Sequence, residues 1–154
     1  MTGSERRGVV IGVDTHKHLH VAVALDALGR RLAALTVSAD RGGYATVEKW
    51  AQSLGVRPVF GIEGTGSYGA GLASHLRRSG LSVIEVNRGD RRTRRSNGKS
   101  DTIDAELAAR SVLSGESTAI PKSADGASEI LRQLKIARDT AVKSGTQAII
   151  ALKC

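Results

Sequence analysis

Cysteine, aromatic residues and long apolar runs are all scarce in this sequence of 154 residues. The single cysteine, Cys154, is the last residue, so neither a disulfide framework nor a cysteine zinc site is expected. Aromatic residues make up only 3% of the chain, so aliphatic side chains must fill its interior. The longest apolar run near the N-terminus, from Val9 to Val13, is too short for a signal sequence or a membrane span. We therefore expect a cytoplasmic protein without a membrane segment.

The composition is otherwise that of a folded domain with a strong positive charge. Hydrophobic residues account for 40% and charged residues for 25% of the chain, which is typical of globular proteins. The 23 lysines and arginines exceed the 15 aspartates and glutamates, giving a net charge of +8. Such an excess indicates a polyanionic partner, with nucleic acid as the first candidate and an anionic membrane surface as the second.

The first part of the chain predicts a β-meander followed by a helix. An apolar run that ends at Asp14, an alternating segment over 19–26 and a segment over 31–38 predict three consecutive strands. The first is the most apolar and is therefore expected at the centre of the sheet. Asp40 stands at the N-cap position of a helix that runs to about Leu54.

Helices and strands alternate in the next part of the chain. A fourth strand ends at Glu63, and a glycine-rich turn leads into a helix over about 68–78. A fifth strand over 81–86 precedes an arginine-rich loop over 87–100, and the helix after it runs to about Ser114. We therefore predict an α/β fold with a mixed five-stranded sheet and flanking helices.

From Asp125 onward the pattern predicts one long C-terminal helix with an apolar face. The residues on that face are Ile130, Leu134, Ala137 and Ala141. The face either packs back on the sheet or binds a partner helix, and the pattern does not decide between the two. We divide the chain into a domain over 1–120 and a helical segment over 121–154, and we expect homo-oligomers formed through the helix.

Four carboxylates occupy positions that one shared site would require. Asp14 and Glu63 end two predicted strands, and Asp101 and Asp104 lie three residues apart, on one face of a helix. If the two strands are parallel neighbours, their carboxyl ends meet where open α/β sheets bind ligands. The converging charges would repel one another unless divalent cations neutralised them, and carboxylate oxygens suit Mg²⁺ or Mn²⁺. Two such ions, about 3.5–4 Å apart, can hold the attacking and leaving oxygens of phosphoryl transfer.

Basic residues accompany these acids and would bind a phosphate backbone with salt-dependent affinity. The candidates are Lys17, Arg88, Arg91, Arg92, Arg94, Arg95 and Lys99. The acids have a second interpretation, in which they cap helices or bind a structural metal in a non-catalytic nucleic-acid-binding module. Spacing alone leaves both interpretations open.

A glycine motif supports a different hypothesis. The segment "GTGSYG" over 64–69 fits GxGxxG between a strand and a helix, and Glu85 ends the next strand, as a ribose-binding acid would. The motif follows the fourth strand rather than the first, however, and Glu63 would place a carboxylate next to a pyrophosphate. We therefore rank a dinucleotide site behind the metal site and assign the glycines to a tight turn close to the substrate.

The segment "HKHLH" places three histidines two residues apart, on one face if the strand continues. Three histidines on one strand are a weak zinc signal without further ligands. We expect His16 or Lys17 to contact the substrate, His18 and His20 to be structural or surface residues, and His75 to face solvent.

Three segments together resemble the N-terminal domain of the DEDD transposases, the IS110 family of insertion-sequence recombinases. They are "GVDTHK" with Asp14, "GIEGTGSYG" with Glu63, and "VNRGDRRTRRSNGKSDTIDAELAA" with Asp101 and Asp104. The resemblance extends from about Val9 to Leu152, with the same order and spacing of motifs.

The resemblance implies an RNase H-like fold similar to RuvC-type resolvases, with Asp14, Glu63, Asp101 and Asp104 as the catalytic, metal-binding tetrad. It also implies action on DNA in the insertion and excision of a mobile element, and a guide (bridge) RNA as partner. Members of the family continue into a C-terminal domain that carries a nucleophilic serine. We therefore expect this chain to correspond to an isolated DEDD domain that does not complete strand exchange by itself.

Overall fold

The computed structural model describes residues 8–87, 100–121 and 127–153. The chain divides into two compact units, Met1–Pro121 and Lys122–Cys154. Within the described residues, the first unit holds five strands and three helices, and the second holds one long helix.

The strands form a single sheet in the order β3-β2-β1-β4-β5. Their bounds are Val10–Thr15 for β1, Leu19–Leu25 for β2, Arg31–Ser38 for β3, Val59–Glu63 for β4 and Ser82–Val86 for β5. The first three strands pair antiparallel as a meander, whereas β1, β4 and β5 pair parallel. β1 is central, and all six of its residues are buried. The prediction of a mixed five-stranded α/β sheet with an apolar central strand is confirmed.

Three helices flank this sheet: α1 (Arg41–Leu54), α2 (Ala70–Arg78) and α3 (Asp101–Leu113). Asp40 is the N-cap of α1, as predicted, and its side chain accepts a hydrogen bond of 2.8 Å from the backbone N–H of Gly43. The helices α1 and α2 share one core cluster, which contains Val47, Leu72 and Leu76 together with Ile11, Val13, Phe60 and Ile62 of the sheet. A second, smaller cluster joins Ala105 and Ala109 of α3 to Val10, Val23 and Leu25.

Small residues on both sides let α3 lie directly on the sheet. A Cβ atom added at Gly12 of β1 would overlap the carbonyl oxygen of Ala105, and one at Gly61 of β4 would lie 2.6 Å from Cγ2 of Val112. On the helix side, Ala105, Ala108 and Ala109 are all buried. Because backbone meets backbone at this contact, the height of α3 above β1 and β4 is closely determined.

The second unit is the helix α4, Ala127–Lys153. Several of its large apolar side chains are exposed, namely Ile130, Leu131, Leu134, Ile136, Val142, Ile149, Ile150 and Leu152. Among the described residues, no helix combines the length and apolar character that crossing a membrane requires. The long C-terminal helix predicted from the sequence is present, and these apolar side chains are exposed.

Candidate metal and nucleic-acid site

The site lies at the carboxyl ends of β1 and β4. The two strands are parallel, with Val13 paired to Ile62, and Asp14 and Glu63 are the next residues of each strand. Side chains alternate along a strand, so both acids lie on the same face as Gly12 and Gly61, which is the face that α3 covers. Asp14 is 2% and Glu63 is 5% exposed. The two acids therefore stand side by side at a buried edge of the sheet.

Asp101 and Asp104 lie in the first turn of α3, above this edge. Ser100 is the N-cap residue, and its carbonyl oxygen accepts hydrogen bonds from the backbone N–H groups of Ile103 (2.9 Å) and Asp104 (3.1 Å). Acids in a first helical turn are stabilised by the unpaired N–H groups there. The two carboxylates therefore stabilise the start of α3 whether or not they also bind a metal ion.

A histidine connects the strand to the helix. Nε2 of His16 lies 3.0 Å from Oδ2 of Asp14 and 3.6 Å from Oδ1 of Asp101. Asp14, His16 and Asp101 each offer one ligand atom within 4.8 Å of the others. The side chain of Asp101 is 60% exposed, so the cluster extends from the buried sheet edge to solvent.

The hairpin after β1 holds His16 in this place. The backbone N–H of His16 donates to the carbonyl oxygen of Leu19 over 3.0 Å, which closes the turn into β2. Thr15 is buried, and its hydroxyl donates to the carbonyl oxygen of Glu63 over 2.8 Å. This bond joins the ends of β1 and β4, so both strands present their acids from a fixed backbone.

The electrostatics of Asp14 show how a cation would fit. Burial raises the pKa of the Asp14 carboxyl above its usual range, and the nearby Asp104 and Asp101 raise it further, while His16 opposes the shift. Negative charge at this edge is therefore unfavourable in the protein alone. A divalent cation among these oxygens would instead favour the ionised carboxylates. Carboxylates are the donors that hard divalent cations prefer. The donor set fits such an ion.

Of the four predicted carboxylates, two belong to the tight cluster and two lie beside it. Within the described residues, the tight cluster consists of Asp14, His16 and Asp101. Asp104 acts on Asp14 through its charge, and Glu63 occupies the adjoining strand position on the same face. His16 was expected to contact the substrate or, together with His18 and His20, to be a weak zinc signal, but not to join the carboxylates. Its spacing of two residues from Asp14, just beyond the end of the strand, was the available signal.

The predicted nucleic-acid contacts are described only in part. Lys17 is exposed in the β1–β2 turn, and it lines a cleft together with His16 and Asp101. The other candidates, Arg88, Arg91, Arg92, Arg94, Arg95 and Lys99, lie outside the described residues. The cleft beside Lys17 is open to a ligand from solvent and leads to the carboxylates.

The remaining histidines differ from one another. The strand does not continue through "HKHLH": a turn at 16–18 leaves His18 exposed, while His20 in β2 is fully buried. The His20 ring stacks on Tyr44 with 5.8 Å between ring centroids. His75 was expected to face solvent, but its side chain is only 26% exposed. Its Nε2 lies 2.7 Å from Oε2 of Glu48.

The glycine-rich segment after β4 forms a compact turn. Gly64 has a φ of +66°, which favours glycine, and its carbonyl oxygen accepts from the backbone N–H groups of Ser67 and Gly69, both over 2.9 Å. Thr65 donates to Oε1 of Glu85 over 2.7 Å. Glu85, the acid of the dinucleotide hypothesis, is thus engaged in tying the turn to β5.

A mixed sheet with acids at the ends of two parallel central strands is the arrangement expected of a metal-dependent nuclease or recombinase, and the comparisons with known proteins agree with that class. The chain belongs to the IS110 family of DEDD transposases: the family's sequence model, described as transposase, matches residues 11–154. The fold is similar to RuvC of T. thermophilus in complex with a Holliday junction substrate, with a TM-score of 0.52 and 13% identity. That match covers 73% of this chain and 99% of the RuvC chain. A search of curated protein sequences gave no match.

These comparisons confirm the predicted family and the RuvC-like fold. Membership in a transposase family supports a metal-dependent, nuclease-like function, and the acidic cluster agrees with it. The dinucleotide-binding alternative finds no support in this fold or family.

Proposed function

We propose that this chain is the catalytic DEDD domain of an insertion-sequence transposase, which uses Mg²⁺ or Mn²⁺ for phosphoryl transfer on DNA. Asp14, Glu63, Asp101 and Asp104 would hold the ions. The observation that carries the proposal is the contact between the two sides of the site: His16 lies within 3.6 Å of both Asp14, on the central strand, and Asp101, on α3. Acids far apart in sequence therefore meet at one edge.

Each residue has a distinct part in this proposal. Bound divalent ions would stabilise the charge that develops on the transferring phosphate. Asp14 and Glu63 supply oxygens from a rigid, buried edge, whereas Asp101 and Asp104 close the site from α3. We assign His16 to orienting the carboxylates of Asp14 and Asp101, with Nε2 available as an additional ligand. Lys17 neutralises phosphate charge at the mouth of the cleft.

The partners follow from the charge and the family resemblance. DNA is the substrate, and we propose that the arginine-rich segment over 88–99 holds the nucleic-acid backbone. A guide RNA is a partner implied by the resemblance. We also propose that α4 mediates homo-oligomerisation, because its apolar side chains are exposed.

A second candidate function is a nucleic-acid-binding module without catalysis. It is favoured by the first turn of α3, where Asp101 and Asp104 have a structural role at the helix N-terminus without any metal. The two candidates differ in a measurable way, because only the first requires saturable binding of divalent ions at these acids.

The deciding experiment is calorimetric titration of Mg²⁺ and of Mn²⁺ into three proteins. These are the wild type, the Asp101→Asn, Asp104→Asn double variant, and an Asp139→Asn control on α4, where the side chain is 49% exposed. We expect saturable binding in the wild type and the control and its loss in the double variant. Equal binding in all three would contradict the assignment of the metal site. Unchanged DNA cutting by an Asp14→Ala variant of the transposase would contradict the catalytic role.

A further inference from the structure

The aromatic residues of this chain are few, and one of them is placed differently from the rest. The chain has four aromatic residues: one tryptophan, two tyrosines and one phenylalanine. Phe60 is fully buried, and Tyr44 and Trp50 pack, partly buried, against the core under α1 and α2. Tyr68 is 54% exposed and belongs to neither core cluster. Single exposed apolar residues are common, so the position of Tyr68 matters more than its exposure.

Tyr68 stands between two surface clefts beside the candidate metal site. One cleft is lined by Tyr68 together with Thr15, His16, Lys17 and Asp101. The other is lined by Tyr68 together with Gly64, Ser67, Glu85 and Asn87. The tyrosine therefore borders the acidic cluster on one side and the ends of β4 and β5 on the other.

The turn that carries Tyr68 is held on the sheet rather than extended into solvent. Gly69, the next residue, is packed so closely that an added Cβ atom would lie 2.8 Å from the carbonyl oxygen of Glu63. On the other side, the hydroxyl of Thr65 is bonded to Glu85 of β5. The turn thus fixes the backbone position of Tyr68, so the loop itself need not be ordered when a ligand packs against the ring.

We propose that Tyr68 is a stacking platform for an unpaired nucleobase of the DNA strand whose phosphate lies at the carboxylate site. An aromatic ring offers a face to any base, and a base in duplex DNA has both of its faces covered by its neighbours. Only an unpaired or splayed base is free to stack there. Lys17 in the same cleft supplies the positive charge for the adjoining phosphate. This subsite deepens the proposed function by defining the strand that reaches the site as locally unpaired.

The test measures the affinity for a single-stranded oligonucleotide that contains 2-aminopurine, whose fluorescence is quenched by stacking. The proteins compared are the wild type, Tyr68→Phe, Tyr68→Ala and a Leu28→Ala control. Leu28 is 68% exposed in the turn between β2 and β3, at the opposite end of the sheet. We expect Tyr68→Phe and Leu28→Ala to bind like the wild type. Tyr68→Ala should bind roughly 5- to 150-fold more weakly, with the quenching lost, as expected for one base–aromatic stack.

Two results would overturn the proposal. One is a Tyr68→Ala variant that retains wild-type affinity and quenching. The other is an equal loss of affinity for a fully paired duplex, since a stacking subsite acts only on unpaired bases. Calorimetric titration of Mg²⁺ into Tyr68→Ala keeps this inference separable from the proposed function. Normal metal binding by Tyr68→Ala together with weak single-strand binding supports the subsite. Absence of metal binding in the wild type would refute the metal site but would not affect the stacking result.

Discussion

The carbonyl oxygen of Ala105 fills the space into which a Cβ atom at Gly12 would project. This contact joins the middle of β1 to α3, one turn beyond Asp101, and only Val13 separates Gly12 from Asp14. The distance between the acids of the strand and those of the helix therefore depends on a glycine that bears no functional group.

Replacing Gly12 by alanine should push α3 away from the sheet. We expect Gly12→Ala to lower the free energy of unfolding by about 1–3 kcal/mol, which is typical of overpacking in a closely packed core, and to weaken the binding of divalent metal. Urea denaturation and metal titration would measure the two effects. Gly8→Ala is the matched control, because an added Cβ atom there meets nothing within 4 Å. Equal stability of the two variants would show that α3 accommodates the methyl group.

Replacing Asp14 by asparagine should stabilise the protein in the absence of metal. Burial raises the pKa of this carboxyl, so its ionised form is unfavourable in the fold at neutral pH, and the neutral amide avoids that penalty. We expect the melting temperature of Asp14→Asn to be a few degrees higher in a chelator at pH 7. The increase in melting temperature that Mg²⁺ or Mn²⁺ gives the wild type should be lost.

Asp26→Asn is the control for this prediction, because its melting temperature should change in the opposite direction. Hydrogen bonds, first that from the backbone N–H of Arg30, lower the pKa of the Asp26 carboxyl, so its ionised form is favourable in the fold. This variant should melt at a lower temperature in the chelator and keep its response to metal. A lower melting temperature for Asp14→Asn in the chelator would contradict the argument.

Stability should fall as the pH drops below about 6.5, the ordinary pKa of histidine. The reason is the imidazole of His20, which is fully buried in the fold. Burial lowers the pKa of His20, so the unfolded chain takes up a proton before the folded protein does, and stability is complete only above the unfolded value. The groups near it are the ring of Tyr44, His75 with Glu48 beyond that ring, and His16, whose charge lowers the pKa further.

Urea midpoints measured between pH 7.5 and 5 would check the role of His20. We expect His20→Phe to keep the ring stack on Tyr44 and to lose less stability over this range than the wild type. His18→Gln, at an exposed position of the same hairpin, should retain the wild-type slope. Identical slopes for all three proteins would assign the pH dependence to other groups.

Disrupting the apolar surface of α4 should reduce self-association. Leu134 is 61% exposed on this helix. We expect Leu134→Lys to shift the protein toward the monomer in sedimentation velocity over a range of concentrations. Gln147→Lys on the same helix adds the same charge without removing an apolar contact and should leave the distribution unchanged. A wild type that is monomeric at every concentration would refute the proposed role of α4.

The sequence by itself determined the elements of this protein and the positions of its acids. The strand from Arg31 to Ser38 and the N-cap at Asp40 are found where the pattern predicts them. Alternation of side chains, capping and apolar runs are local properties, so a single sequence carries them. The placement of Asp14 and Glu63 at strand ends, and of Asp101 and Asp104 in the first turn of a helix, is local in the same sense.

Only the tertiary structure decided which side chains meet. His16 joins Asp14 and Asp101 because the hairpin turns the chain back and α3 crosses the sheet edge, and spacing in sequence contains neither fact. His20 is buried and His18 exposed, although both lie within a few residues of the same turn, because burial depends on whether α1 covers the strand there. The close contact of Gly12 with Ala105 depends on packing between segments nearly a hundred residues apart. Such contacts arise from the pairing of whole elements, and that pairing is a property of the folded chain.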